Sequence, residues 1–209
     1  MFKYLVFFIF LFTKFTVSSQ ISFTSNQLIE PYLGFPNFGR FSSPLGIDTS
    51  ILEKQDQSFS GIGPSGFRYS YMFSDALSIG IDLMYNTLNE KYRTSQDVFM
   101  NNAWTTINKN MLISTQGLRV QVRMNFHFLA SNAMSDSYLG VGFGTNNKWK
   151  KISENGNVIE KISGSEAVIF PFSLRLCYGY RYFFNYNWGI NGEVGLGGPL
   201  LSLGLSYKI

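Results

Sequence analysis

The chain has 209 residues, of which 45% are hydrophobic, 17% aromatic and 14% charged, and its formal net charge is +4. A charged share this far below the roughly 25% of ordinary soluble domains is unusual, and 21 Phe with 12 Tyr exclude a disordered chain. One Cys and one His exclude a disulfide framework and a zinc site built from several such ligands.

Residues 1–19 have the pattern of a signal peptide. Lys3 supplies a positive start, and the apolar run Tyr4–Phe12 is too short to span a membrane as a helix. Small residues precede a cleavage point at Gln20, and leaders of this kind resemble those of Bacteroidota envelope proteins. The mature chain, 20–209, carries too little net positive charge to indicate nucleic acid as a partner.

Beyond the leader, the dominant pattern has a period of two. One set of alternate positions is almost entirely apolar or aromatic, whereas the other carries charged residues and many glycines. Such alternation predicts strands with one apolar face. The eight runs are Ile29–Pro36, Gly66–Phe73, Leu77–Asn86, Gly117–Phe128, Tyr138–Gly144, Val168–Tyr182, Trp188–Gly197 and Leu200–Ile209.

The distribution of glycine and charge indicates which face points outward. Glycines and charges suit a crowded lumen, and rows of Leu and aromatic residues suit lipid. The sequence therefore predicts an all-β fold, an eight-stranded antiparallel up-and-down transmembrane β-barrel. A soluble barrel that buries its apolar face is the alternative.

Long and short connections alternate along the chain. The long ones are 37–65, 87–116 and 145–167, and only the tight link Gly198-Pro199 breaks the alternation. Outer-membrane barrels have short periplasmic turns and long external loops. This pattern places both termini in the periplasm and the three long segments outside the cell.

The third long segment contains Asn155-Gly156, a strong signal for a type I′ hairpin turn. We expect residues 147–164 to form a hairpin without a bulge that projects beyond the outer leaflet. Its exposed edge offers a route for a protein partner to bind by strand addition. The expected partners are Ile152 with Ile159, Lys151 with Glu160, Trp149 with Ile162 and, within the barrel, Val141 with Phe170 and Leu139 with Phe172.

Eight strands enclose a lumen that side chains fill, so charges inside it must be paired. A three-residue turn at 74–76 predicts that Phe73 faces Leu77 and that Arg68 faces Asp82. Further expectations place Arg119 and Arg123 near Asp82, Glu193 across from Cys177 within reach of Arg175, and Glu30 with Lys208 at the periplasmic rim. The predicted ion-pair network comprises Arg68, Asp82, Arg119, Arg123, Arg175, Glu193, Glu30 and Lys208.

The same lumen residues permit a second interpretation. Four arginines against Asp82, Glu30 and Glu193 leave an excess of positive charge, which would favour anions if water passed through. A narrow, weakly anion-preferring pore is therefore the alternative to a plug of ion pairs.

The sequence carries little chemistry. His127 is the single His, no acid is placed to orient its ring, and Cys177 has the position of a packing residue. Gly140, Gly142 and Gly144 alternate with strand residues and precede no helix, which excludes a nucleotide loop. No catalytic residue, cofactor or metal is predicted, although barrels that modify lipid A keep a lipid-modifying enzyme as a third possibility.

Strand pattern and loop alternation over residues 27–209 resemble the small eight-stranded outer-membrane barrels of the OmpA/OmpX type, and most closely the Bacteroidota outer membrane protein beta-barrel family. The resemblance implies a multi-pass protein of the bacterial outer membrane, surrounded by lipid and lipopolysaccharide. It rests on no specific motif, so it implies no catalytic residues. The sequence thus predicts a non-enzymatic barrel with a structural or interaction role, whose external loops, including the hairpin, bind partners.

Overall fold

The computed structural model describes residues 26–37, 55–100, 103–128, 134–164 and 170–209, so the predicted signal peptide lies outside the described residues. Within these ranges no helix is long and apolar enough to cross a membrane. The strands are β1 (Gln27–Phe35), β2 (Gln55–Ser60), β3 (Ser65–Ser74), β4 (Leu77–Met100), β5 (Ala103–Phe128), β6 (Ser135–Glu154), β7 (Asn157–Gly164), β8 (Phe172–Phe183), β9 (Trp188–Leu196) and β10 (Leu201–Lys208).

Eight of these strands close into a ring. Following neighbours from β1 gives β3, β4, β5, β6, β8, β9 and β10, and β10 pairs with β1 again. Every pairing is antiparallel. The predicted eight-stranded antiparallel up-and-down barrel is confirmed, while β2 and β7 lie outside the ring.

The apolar face of the ring points outward. Leu33 is 71% exposed and Leu203 74%, whereas Arg68 and Glu193, on the other face, are 1% and 2% exposed. A soluble barrel would show the reverse arrangement. The exterior is therefore that of a transmembrane barrel, because only a closed sheet satisfies every backbone group within hydrocarbon.

The two ends of the barrel differ. One end, here called the short-turn end, carries the turn between Ser74 and Leu77, the four-residue link before Trp188, and the ends of β1 and β10. At the opposite, long-loop end, β4 and β5 continue well past their barrel partners, pairing as far as Met100 with Ala103. The described residues of segment 87–116, expected to be a loop, thus form the distal half of a long hairpin.

Five strands form an antiparallel sheet beyond the long-loop end, here called the projecting sheet. Its order is β2, β4, β5, β6 and β7, where β4, β5 and β6 contribute the parts that extend beyond the ring. The sequence does not reveal these extensions because their exposed residues are mostly polar on both faces. The period of two therefore loses the contrast that marks a strand.

The predicted turn at Asn155-Gly156 is present, but the register beyond it is wrong by one residue. Both turn residues have positive φ, 50° and 88°, as a type I′ turn requires. Ser153 pairs with Val158, but Ile152 pairs with Glu160, so Ile159 is an extra, bulged residue. Because of this bulge, Lys151 pairs with Lys161 and Trp149 with Ser163, each one residue beyond the expected partner.

The register between β6 and β8 differs from the prediction by six residues. Leu139 pairs with Tyr178 and Val141 with Leu176, not with Phe172 and Phe170. The cause is that β7 ends at Gly164, outside the ring, and β8 is a separate strand starting at Phe172. An even slip preserves the alternation, so the predicted lipid-facing residues keep their face.

Candidate functional site: a sealed lumen below a projecting sheet

The central cluster of the lumen holds two carboxylates between three arginines. Glu193 accepts from Arg123 at 2.6 Å, from Arg175 at 2.9 Å and lies 3.1 Å from Arg68. Asp82 lies 3.2 Å from Arg123 and 3.6 Å from Arg68. Arg68 is directly across from Asp82 in the register, as predicted, although Leu77 pairs with Ser74 and not with the expected Phe73, because the strand is irregular between Met72 and Ser74. Burial without these partners would cost several kcal/mol per charge.

Two tyrosines complete the hydrogen bonding of these carboxylates. The Tyr32 hydroxyl donates to Asp82 at 2.7 Å, and the Tyr138 hydroxyl donates to Glu193 at 2.7 Å. The Arg68 guanidinium also stacks 3.8 Å from the centre of the Tyr32 ring. The sequence does not identify either tyrosine as a member of the network, because both occur in runs that also supply lipid-facing aromatic residues.

A second cluster lies toward the short-turn end and centres on Arg181. Its guanidinium donates two hydrogen bonds to Glu30, at 2.7 and 2.9 Å, and one to Asp136 at 2.7 Å. Ser206 donates to the same Glu30 at 2.6 Å, and Arg181 stacks 4.0 Å from the Tyr138 ring centre. Two-pronged arginine–carboxylate contacts of this kind fix geometry strongly.

Asp136 changes the charge balance that the sequence suggested. We expected this residue in a turn, but β6 begins at Ser135 and places Asp136 inside the lumen, 1% exposed. Among the described residues, the ion pairs of the lumen therefore join equal numbers of arginines and carboxylates, so the expected excess of positive charge is absent from this network. Its members are Arg68, Arg123, Arg175, Arg181, Glu30, Asp82, Asp136 and Glu193.

Three predicted placements need correction. Arg119 does not approach Asp82; it donates to Asn146 at 3.2 Å and to the backbone carbonyl of Gly197 at 3.0 Å. Glu193 pairs with Gly179, and Cys177 with Gly195, because β8 and β9 are offset from the expected register. Lys208 lies at the barrel end, with Nζ 3.6 Å from the ring centre of Phe183, while Glu30 is bonded deeper to Arg181.

Asp136 orients the ring of His127, although no such acid was expected from the sequence. Its Nδ1 lies 2.8 Å from Asp136, and its Nε2 lies 2.9 Å from the Ser78 hydroxyl. This connectivity is that of a Ser-His-Asp triad. Ser78 is completely buried, however, and also accepts a hydrogen bond from the Asn125 side chain. With no room for a substrate beside Ser78, the chain of bonds acts as structural packing.

The tight link between β9 and β10 closes the long-loop end of the lumen. Pro199 is fully buried, and a Cβ at Gly198 would meet Arg175 and Met84. Arg175 donates to the Pro199 carbonyl at 3.4 Å. The one connection that broke the long–short alternation therefore folds over the mouth of the barrel, where a long loop would leave it open.

Glycines give the lumen side chains their room. A Cβ at Gly179 would overlap the ring of Tyr138, and one at Gly140 would lie 2.7 Å from Asn125 and from Cys177. These positions lie on strands, so the glycines serve close packing. In the described part of the chain, no group of three or more His, Cys, Asp or Glu residues could hold a metal.

The projecting sheet presents the predicted hairpin residues to solvent. Trp149 is 41% exposed, Lys151 and Glu160 are exposed, and Asn155 is tied to β5 by a 3.0 Å hydrogen bond from the Asn110 backbone. At the tip of the β4–β5 hairpin, Phe99 and Trp104 pair with ring centres 5.2 Å apart. Exposed aromatic residues on an elongated sheet are typical of binding surfaces.

No family model matches the sequence, and no curated protein matches it. Among solved structures, the chain is similar to Ail, the attachment invasion locus protein of Yersinia pestis, at 13% identity and a TM-score of 0.41, over 89% of this chain and 100% of that one. A likeness this distant carries no argument about function, so the fold rests on the closed ring described above.

Proposed function

We propose that this chain is a non-enzymatic protein of the bacterial outer membrane, with a sealed barrel as anchor and the projecting sheet as external binding surface. The observation that carries the proposal is the contrast between the two parts. The barrel lumen is filled by a neutral network and capped by the Gly197–Leu200 turn. The projecting sheet is five strands wide, and closure of the ring does not require it.

The location is supported by the exterior and the ends of the barrel. A belt of Leu and aromatic side chains suits hydrocarbon and lipopolysaccharide acyl chains, and bacterial barrels keep short turns on the periplasmic side. The short-turn end carries both chain ends of the ring, Gln27 and Lys208. We therefore place the termini in the periplasm and the projecting sheet outside.

Neither alternative gains support from a specific contact. The pore hypothesis relied on surplus positive charge in the lumen, and within the ion-pair network Asp136 makes the numbers of arginines and carboxylates equal. A lipid-modifying enzyme needs a serine and a histidine near the outer leaflet, whereas His127 and Ser78 are buried near the short-turn end.

Binding is assigned to the face and tip of the projecting sheet more than to its edges. Both edge strands contain a bulge, at Ile159 in β7 and between Gln55 and Ser58 in β2. The β7 edge also carries Glu160 and Lys161. Bulges and charges on edge strands hinder the addition of another strand, so the exposed Phe99–Trp104 tip is the better anchor.

Cysteine labelling in intact cells tests the orientation. Lys161 lies on β7 and Asp75 in a short turn, and both are exposed, while the native Cys177 is buried. We expect a membrane-impermeant maleimide to label Lys161→Cys but not Asp75→Cys, with the unaltered protein as background. Labelling of Asp75→Cys alone would reverse the proposed orientation. Recovery of the protein in the soluble fraction, without membranes, would contradict the proposed outer-membrane location.

Site-specific photocrosslinking tests the binding surface. A photoreactive residue at Trp104 is expected to give adducts in living cells that the same residue at Asp75 does not give, because only the former lies on the proposed surface. A second external position, Lys161, separates the tip from the edge. Adducts confined to Lys161 would favour strand addition, and adducts confined to Asp75 would contradict external binding.

A further inference from the structure

Three cations lie together on the axis-facing side of the projecting sheet, directly above the sealed mouth. Arg119 pairs in the register with Asn146, Gly117 with Lys148, and Thr115 with Lys150. Cross-strand partners and alternate residues share a face, so Arg119, Lys148 and Lys150 form one row on the face that continues into the lumen. Neighbouring members of a strand on one face are about 7 Å apart.

None of these three cations has an acid partner among the described residues. Arg119 donates only to the amide oxygen of Asn146 and the backbone of Gly197. By contrast, Lys109, farther along the same face of β5, pairs with Glu154 at 3.0 Å, and the four arginines of the lumen network all reach carboxylates. On the axis-facing side the row is thus a stretch of cations without acid partners, between the paired arginines of the lumen and the Lys109–Glu154 pair.

Lys148 is partly buried and lies near another cation, so a nearby negative charge would stabilise it. Partial burial and the positive charge of Arg119 lower the pKa of Lys148 from its usual value. Lys148 and Lys150 are both only partly exposed. Arg119 and Lys148 repel one another, and an anion between two such partly buried cations stabilises both.

We infer that Arg119, Lys148 and Lys150 form a binding site for the phosphate or carboxylate groups of a soluble, multiply charged anion. The spacing suits two anionic groups on one ligand, and the planar guanidinium of Arg119 has donors left over for a two-pronged contact. Because the row faces the barrel axis and not the bilayer, a soluble ligand fits better than a lipid headgroup. The inference rests on the proposed function only in taking this face to be open to the cell exterior.

Binding of inorganic pyrophosphate to the full chain in nanodiscs of zwitterionic lipid tests the site. We expect saturable binding by calorimetry at low salt. The variant R119Q/K148Q/K150Q should bind at least ten-fold more weakly. The matched control is K91Q/R93Q/K151Q, which removes three cations from the opposite face of the same sheet and should leave the affinity within two-fold.

The outcomes separate the site from general charge and from the proposed location. Equal weakening by the two triple variants, or no binding by the unaltered chain, overturns the site. A small fraction of phosphatidylglycerol in the zwitterionic nanodiscs, too low to charge the disc appreciably, should leave pyrophosphate binding unchanged; competition by that lipid would assign the row to a lipid headgroup and overturn the soluble ligand. Heat-modifiable gel mobility verifies that each variant is folded, and cysteine labelling at Lys161 tests the location independently.

Discussion

At the scale of single residues, Glu193 holds the lumen network together. Its two carboxylate oxygens receive three guanidinium groups and the Tyr138 hydroxyl. Without the Glu193 carboxylate, Asp82 would be the only acid facing Arg68 and Arg123. Arg175 would then have no carboxylate among its described contacts. Removing one member of a buried ion pair is far more costly than never having built it, because the remaining charges stay desolvated.

We expect Glu193→Gln to lower the free energy of unfolding by about 3–5 kcal/mol, measured by urea titration of the protein refolded in detergent. Glu160→Gln makes the same chemical change on the exposed hairpin and should stay within about 0.5 kcal/mol of the unaltered protein. Equal stabilities for the two variants would show that the lumen tolerates an unbalanced charge.

At the scale of elements, β7 is an appendage of β6 and not part of the ring. It pairs with β6 alone among the described strands, whereas every strand of the ring has two neighbours within the ring. Its position depends on the turn at Gly156, whose φ of +88° disfavours residues with a Cβ and whose surroundings are otherwise open. The hairpin should therefore unfold locally without opening the barrel.

We expect Gly156→Ala to cost the hairpin roughly 1–2 kcal/mol through left-handed backbone strain. Hydrogen exchange of the β7 amides should accelerate, while exchange in β8–β10 and the thermal midpoint of the barrel stay unchanged. Gly192→Ala is the control, since a Cβ there makes only an ordinary 3.4 Å contact with Leu203. Loss of barrel protection in Gly156→Ala would contradict the independence of the hairpin.

At the scale of the whole molecule, the barrel is closed laterally by its ring of strands and axially by its own side chains. The lumen holds Tyr138, Arg68, Arg181 and Gln121, all almost fully buried, and the turn at Pro199 covers one end. Such packing leaves no continuous water path in an eight-stranded barrel.

We therefore expect no single-channel steps when the protein is inserted into planar bilayers, with a wide porin in the same membranes as positive control. Arg68→Ala removes a guanidinium from the centre of the network, but the Pro199 turn remains, so this variant should stay silent as well. Steps from the unaltered protein would revive the pore hypothesis, and steps from Arg68→Ala alone would show that the network acts as a gate.

Features that depend on neighbours along the chain could be predicted from the residues alone. Alternation of apolar and polar residues set the strands and the lipid-facing side, because a side chain on a strand has only two directions. A short turn fixed Arg68 opposite Asp82, and Asn155-Gly156 fixed the place of the hairpin turn, since in both cases few residues lie between the partners.

Contacts between strands that are distant in sequence became known from the folded chain and not from its residues. Arg181 meets Glu30 across 151 residues, and Asp136 becomes the second carboxylate partner of Arg181 only because β6 starts earlier than the hydrophobic pattern suggests. The six-residue offset of β6 against β8 and the diversion of Arg119 to Gly197 depend likewise on how the ring closes. Ring closure requires a stagger of the strands that no local pattern encodes.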